Sequence, residues 1–354
     1  MVGSPLDRLD TPVLVVDLDI LEANLARMAA FFRDKPAGFR PHFKNHRVLA
    51  LALRQIEGGA IGITCSRLWQ VERLAHAGVR SILLTNEIAG ENPLRQLAEL
   101  SRGSTVMAAV DNAKVLDDMA RIARQEHTPL NVVVDIDLGL KRCGVPPGEA
   151  AASLAQRAVA RDLRFRGVMG YEGHLQLLPP GPEKERAVKQ ALEALVGSKN
   201  QIERLGIPVE IVSCGGTGDY AISGTYPGVT ENQAGSFMLM DTGYAPFAPD
   251  FCPTLSVLAT VVSKTEGERI VVDAGVKAIS GERGLPSVKG IGGLRIRALH
   301  AEHAPIDLVD PNAPVEVGDK IELAVSYHDG TVHLHQRMYG VRKGIVEQVF
   351  TIEH

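Results

Sequence analysis

At 354 residues with 45% hydrophobic content, the chain is long enough for one large domain and a smaller one. A formal net charge of -4 and a pI near 6.3 give no basic field for nucleic acid. No apolar run approaches the roughly 20 residues that span a bilayer, so no membrane partner is expected either.

The start, Met1-Val2-Gly3-Ser4-Pro5-Leu6-Asp7, lacks the charged and apolar regions of a signal peptide. Cys65, Cys143, Cys214 and Cys252 are far apart and show no zinc spacing, so they read as reduced thiols. A cytoplasmic protein is the expectation.

In chain order, Thr11-Pro12-Val13-Leu14-Val15-Val16-Asp17 predicts a strand. Leu18, Leu21, Leu25, Met28 and Phe32 then recur at helical spacing. The basic stretch Phe39-Arg40-Pro41-His42-Phe43-Lys44-Asn45-His46-Arg47 closes a short strand and runs into a helical window over 48–56. Strand-like runs follow at 60–65, 81–86, 106–111, 132–137, 165–174, 209–214 and 233–241. Amphipathic helical windows lie between most of them, at 68–77, 93–100, 113–124, 148–160 and 184–205. Counting the lysine strand, eight strands alternate with helices. That pattern predicts an α/β fold, a (β/α)8 TIM barrel. An open doubly wound sheet would want a Gly-rich fingerprint after its first strand, and there is none.

Beyond about residue 241 the windows become short and β-rich, at 255–263, 269–273, 294–300, 320–325, 331–339 and 345–352. The domains are therefore read as a barrel over 16–247 and a C-terminal β domain over 248–354.

Barrel chemistry gathers at the carboxyl ends of the strands. Lys44 ends the first, Asp111 the fourth, and Arg142 follows the fifth in Asp135-Ile136-Asp137-Leu138-Gly139-Leu140-Lys141-Arg142-Cys143-Gly144. Tyr171-Glu172-Gly173-His174 ends the sixth, Ser213-Cys214-Gly215-Gly216-Thr217-Gly218 the seventh, and Gln233-Ala234-Gly235-Ser236 opens the eighth. A lysine held among other cations and partly desolvated sheds its proton more readily and suits covalent work. Glycine amides approach anions closely, and the loops after strands seven and eight are the usual phosphate cradle of a barrel. A Schiff-base lysine with such a cradle points to pyridoxal phosphate.

These stretches, with Asp273-Ala274-Gly275-Val276-Lys277-Ala278, Glu302-His303 and Thr331-Val332-His333-Leu334-His335, run in family order along nearly the whole chain. They resemble the fold-type III pyridoxal-phosphate enzymes of the alanine racemase-like group, in the D-threonine aldolase and D-serine dehydratase branch. The resemblance implies that Lys44 carries the cofactor as a Schiff base and shuttles the α-proton. Arg142 would contact the phenolic oxygen and Tyr171 the pyridine nitrogen. Ser213, Gly216, Thr217, Gly235 and Ser236 would hold the phosphate. It further implies that the N-terminal segment 1–15 joins the β domain, and that a homodimer sets its active site at the interface. The structural alternatives are a loop-capping Arg142 and a packed Tyr171.

In this branch a His-x-Asp or His-x-Cys pair on a β-domain strand binds a divalent ion (Mn, Mg, Co or Zn) that grips the substrate hydroxyl. This chain departs from that pattern in Ser326-Tyr327-His328-Asp329-Gly330-Thr331-Val332. Ungapped matching puts Tyr327 on the histidine position and Asp329 on the second ligand. His328 and Asp329 are adjacent, so on a regular strand they face opposite ways, and a bulge would be needed to unite them. His333 and His335 offer another nitrogen pair. The leading expectation is a lyase acting on β-hydroxy D-α-amino acids, aldolase before dehydratase. The alternative is a metal-independent racemase or epimerase with Tyr327, its pKa lowered, as second acid/base. A third reading, a cofactor carrier, is disfavoured by the extra β domain.

Overall fold

The computed structural model describes residues 1–354, which divide into two compact units. One comprises 1–27, 45–50 and 236–354, and the other 28–44 and 51–235. No helix is long and apolar enough to cross a membrane.

The N-terminal segment gives β1 (Val13–Asp17) and α1 (Leu18–Phe32). Next come β2 (Gly38–Phe39), α2 (Leu49–Glu57), β3 (Ile63–Cys65), α3 (Leu68–His76), β4 (Ser81–Leu84) and α4 (Glu91–Leu100). The alternation continues through β5 (Thr105–Val110), α5 (Ala113–Gln125), β6 (Asn131–Ile136), α6 (Glu149–Ala160), β7 (Arg164–Gly170) and α7 (Pro182–Arg204). It finishes with β8 (Ile211–Cys214), the single turn α8 (Tyr220–Ser223) and β9 (Glu231–Asn232).

Strands β2 to β9 form a parallel eight-stranded sheet in the order β2-β9-β8-β7-β6-β5-β4-β3. The His42–Thr64 bridge and an Ile61 N–H to Phe39 carbonyl bond of 3.0 Å join its ends into a (β/α)8 barrel. Leu83, Met107, Ala109, Val133, Met169 and Ile211 form a buried cluster drawn from β4 to β8. Each of the larger side chains, Leu83, Met107, Val133, Met169 and Ile211, contributes roughly 1.5–3 kcal/mol on burial. Residues two apart on a strand share a face, so these aliphatic positions also fix which residues further along each strand belong to the same face.

The other unit holds β10 (Leu255–Thr265), β11 (Arg269–Val272), β12 (Ser287–Val288), β13 (Leu294–Ile296), β14 (Ala304–Leu308) and β15 (Lys320–Ala324). The helix α9 (His328–His333) and strands β16 (Arg337–Arg342) and β17 (Ile345–Thr351) complete it. Strand β1 lies in this sheet, antiparallel to β10 and parallel to β16. Val15 and Tyr339, paired in that register, share a buried cluster with Leu9, Leu258, Val341 and Val346.

Three elements differ from the sequence expectation. The eighth barrel strand is Glu231–Asn232, not 233–241. Phe237, Met238, Leu239 and Met240 are all fully buried, and a continuous apolar run mimics a strand. Lys44 lies in a 3-10 turn, Phe43–Asn45, after a strand that ends at Phe39. The expected strand at 331–339 is instead the helix α9 followed by β16.

Candidate active site

The period-two rule carries the buried barrel cluster up to the mouth. Two positions beyond Ala109, Val133, Met169 and Ile211 stand Asp111, Asp135, Tyr171 and Ser213. Two and four positions beyond Leu83 stand Thr85 and Glu87.

Lys44 is half-buried, and its N–H lies 3.4 Å from His42 Nδ1. The segment before it is fixed by Arg40, whose guanidinium makes two bonds to Glu231 (3.0 and 2.9 Å) and one to Ser81 Oγ (2.8 Å). Both partners of this ion pair are buried. A bidentate geometry of this kind is what lets charges persist inside a protein.

Arg142 projects from a loop folded back on β6. Val145 bridges Ile136, with bonds from Asp137 N–H (2.9 Å) and to Asp135 C=O (3.0 Å). The return is tight at Gly144, where φ is 101° and an added Cβ would sit 2.5 Å from the Asp137 nitrogen. Its N–H donates to Asp111 Oδ2 at 3.0 Å. The Arg142 guanidinium lies 5.7 Å from the centre of the Tyr171 ring.

Beside it, donor atoms of Glu87, Asp111 and Cys143 lie within 4.8 Å of one another. Burial, reinforced by Glu87, pushes the Asp135 carboxyl up to about 9, so it is neutral at physiological pH. Burial and Glu87 also lift the Cys143 thiol, to about 11. Glu87 is absent from the residues expected on sequence grounds, although the alternation from Leu83 points to it.

The glycine turn after β8 is held from within. Gly215 N–H faces Glu172 Oε2 at 3.3 Å, Gly216 N–H donates to Asp219 Oδ1 at 2.8 Å, and Gly218 N–H to Gln176 Oε1 at 3.0 Å. A Cβ on Gly216 would lie 2.6 Å from Gln176 Oε1, so a larger residue there would have to displace the Gln176 amide that holds Gly218. With its amide engaged, Gly216 offers an anion close approach rather than a donor. Ser213 Oγ accepts from Gln233 Nε2 at 2.9 Å and keeps its own proton to donate. Thr217 is buried within the turn, and Gly235 follows β9 by three residues. The roles of Glu172, Gln176 and Asp219 were not legible in the sequence. These residues fit a phosphate, since the cradle is glycine-lined and Ser213 supplies a hydroxyl at its edge.

The other unit has its own polar centre at the start of α9. Asp241, fully buried, accepts from His328 N–H (2.8 Å), His328 Nδ1 (2.5 Å) and Tyr244 N–H (2.7 Å). Accepting from Nδ1 fixes the proton there and leaves Nε2 as a lone pair. That Nε2 lies 3.3 Å from Asp329 Oδ1. Asn45 Nδ2 sits against both, at 3.1 Å from Nε2 and 2.7 Å from Oδ1, and at 3.4 Å from Ser236 Oγ. Burial opposes charge on His328, but the Asp329 and Asp241 carboxylates outweigh it and raise its pKa.

Two donors 3.3 Å apart, each at roughly 2.1 Å, can share one cation. A histidine oriented by a carboxylate on its other nitrogen is the usual arrangement of a metal ligand. The residues therefore fit a divalent ion. His333 and His335 do not form a second pair: His333 Nδ1 lies 2.7 Å from Arg47, and His335 Nε2 bonds to Ala278 C=O at 2.7 Å. Tyr327 caps α9 with Arg283 4.5 Å from its ring centre. Burial and Asp329 raise its pKa despite that arginine, which reverses the expectation of a lowered one.

A closed parallel barrel whose first strand leads to the Lys44 turn, a glycine turn after β8 and a second, β-rich unit are the architecture of the alanine racemase-like class of pyridoxal-phosphate enzymes. The alanine racemase N-terminal domain family matches residues 16–242, and the putative serine dehydratase domain matches 254–341. The chain is 36% identical to a D-threonine aldolase of an Arthrobacter species, covering 99% of this chain and 94% of the relative. It is 30% identical to a 3-hydroxy-D-aspartate aldolase of Paracoccus denitrificans, covering 99% and 93%. The crystal structure of D-threonine aldolase from Filomicrobium marinum superposes with a TM-score of 0.96 at 31% identity, covering 99% and 97%. The chain belongs to the D-threonine aldolase and D-serine dehydratase family of fold-type III pyridoxal-phosphate enzymes.

Proposed function

We propose that this protein is a pyridoxal-phosphate lyase that splits β-hydroxy D-α-amino acids into glycine and an aldehyde, with a divalent cation held by His328 and Asp329. The observation that carries the metal-assisted lyase reading is the His328 Nε2 and Asp329 Oδ1 pair, 3.3 Å apart and backed by Asp241. Held there, a cation would supply a Lewis acid for the substrate's β-hydroxyl, the chemistry on which both cleavage and elimination of a β-hydroxy amino acid draw.

The cofactor, when bound, supplies the acceptor for the electrons of the breaking bond. Lys44 is the amine that would hold its aldehyde carbon and, once released, would return a proton to Cα of the product. Asn45, which donates to Asp329, is the next residue in the chain. Arg142 and Tyr171 orient the ring, and Ser213, Gly216, Thr217, Gly235 and Ser236 line the phosphate site. Dehydration to a keto acid shares this machinery. Racemisation would need a second acid/base beside Lys44. The family likeness further supports a homodimer with its active site at the interface, a state that light scattering would read directly.

Holoenzyme is incubated with D-threonine and D-serine, with and without chelator. Glycine and acetaldehyde from D-threonine, abolished by chelation and restored by a divalent ion, is the expected result. Cleavage untouched by chelation would sink the metal assignment, and a keto acid as sole product would make the enzyme a dehydratase.

A further inference from the structure

Beneath the glycine turn lies a pair of carboxyl groups that the reaction itself does not use. Glu172 has no exposed surface, and Asp219 is 2% exposed. Their carboxyls face each other. Glu172 Oε1 is buried and has no partner at normal hydrogen-bond geometry, while Oε2 takes the Gly215 N–H. Asp219 takes the Gly216 N–H on Oδ1 and Gln176 Nε2 on Oδ2 (2.7 Å), and Gln176 in turn holds Gly218. Two acids in one dry pocket cannot both ionise cheaply, so the pair keeps a proton. We propose that Glu172 and Asp219 are positioning residues that act as one singly protonated unit, fixing the glycine turn and making retention of the cofactor's phosphate depend on that proton.

The inference rests on the assignment of residues 215–218 to the phosphate. Other groups facing the pair do not replace the proton. Lys184 from α7, whose Nζ bonds to Gln176 C=O at 3.0 Å, favours charge on Asp219 and so supports one negative charge on the pair, not two. The Cys214 thiol from β8 is itself held protonated by burial and by these acids. Glu231 from β9 is neutralised by Arg40. Burial, with Asp219 as the neighbouring charge, holds Glu172 protonated well above the ordinary carboxylate range, so the proton leaves as pH rises. Its loss would place a second negative charge behind an anion and remove the link between the carboxyls.

Glu172→Gln separates this from a purely structural role. A glutamine donates from Nε2 to Asp219 and accepts from Gly215, copying the protonated glutamate, yet has no proton to lose. Cofactor release from holoenzyme, followed by loss of visible absorbance into an excess of phosphate buffer, is measured from pH 6.5 to 10. Wild type is expected to release more than tenfold faster at the alkaline end. Glu172→Gln should match wild type at pH 7 and stay within about twofold across the range. Asp219→Asn leaves Glu172 buried and titratable but takes away the neighbouring negative charge, so its alkaline acceleration should begin at lower pH than in wild type, and that shift decides the matter if the first variant folds poorly. An alkaline acceleration retained in Glu172→Gln, or one that does not move in Asp219→Asn, overturns the proposal. Reconstitution with pyridoxal, which lacks the phosphate, tests the underlying assignment separately. Pyridoxal held as tightly as the phosphorylated cofactor would remove phosphate from the turn, whatever the variants do.

Discussion

Replacing Asp241 by asparagine tests the oriented histidine directly. The carboxylate has no solvent exposure and accepts three hydrogen bonds at 2.5–2.8 Å, two of them from His328. An asparagine offers one oxygen and one NH2, so either the two His328 donors or the Tyr244 N–H meet another donor. Bonds to a charged acceptor contribute about 1.5–3 kcal/mol each, and a stranded buried donor costs about 1–3 more. The expected loss of stability is therefore about 3–5 kcal/mol, read by denaturant melts.

The functional effect is separate. Without a carboxylate to hold the proton on Nδ1, His328 shifts it to Nε2 and loses the lone pair that faces Asp329. Divalent-ion affinity, titrated calorimetrically with Mn2+ on folded protein, should fall about 10–100-fold. Asp329→Asn should lose the ion at a smaller cost in stability, because that side chain is 30% exposed and an asparagine oxygen can still accept from Asn45. Folded Asp241→Asn binding Mn2+ within twofold of wild type would refute the claim that His328 is a ligand held by Asp241.

Lys44→Ala should abolish the cofactor's visible absorbance and reduce cleavage at least a thousandfold while the circular dichroism is unchanged; a retained visible band would exclude Lys44 as the attachment point. Glu231→Gln leaves Arg40 buried without its charge partner and should cost about 3–5 kcal/mol, visible as a lowered melting temperature. Gly144→Ala forces a Cβ to 2.5 Å from a backbone nitrogen at positive φ, so the Arg142 loop should shift, with weaker cofactor binding as the readout. Asp135, neutral up to about pH 9, carries a proton that the unfolded chain releases near pH 4, so stability declines as pH rises between those values. The decline approaches about 1.4 kcal/mol per pH unit. Asp135→Asn has no proton to lose and should melt above wild type at pH 8 but alongside it at pH 4; equal melting at both would contradict a neutral Asp135.

The barrel mouth was legible from sequence because one local rule generates it. Alternation on β5, β6, β7 and β8 takes a buried aliphatic to Asp111, Asp135, Tyr171 and Ser213 two residues later. The clamp behind the glycine turn was not legible. Gln176 and Asp219 lie 43 residues apart in sequence, and nothing local in either announces the other.

The His328 centre shows why adjacency misleads when the period is wrong. Neighbouring side chains on a strand diverge by about 180°, which made His328 and Asp329 look incompatible as ligands. On a helix they diverge by about 100°. Tyr327 is the last extended residue, with φ -147° and ψ 100°, and α9 begins at His328. The turn therefore brings the two adjacent donors to 3.3 Å, with no bulge required. Asp241, 87 positions upstream, then selects which nitrogen faces that point, a tertiary choice that no local pattern in residues 326–335 encodes.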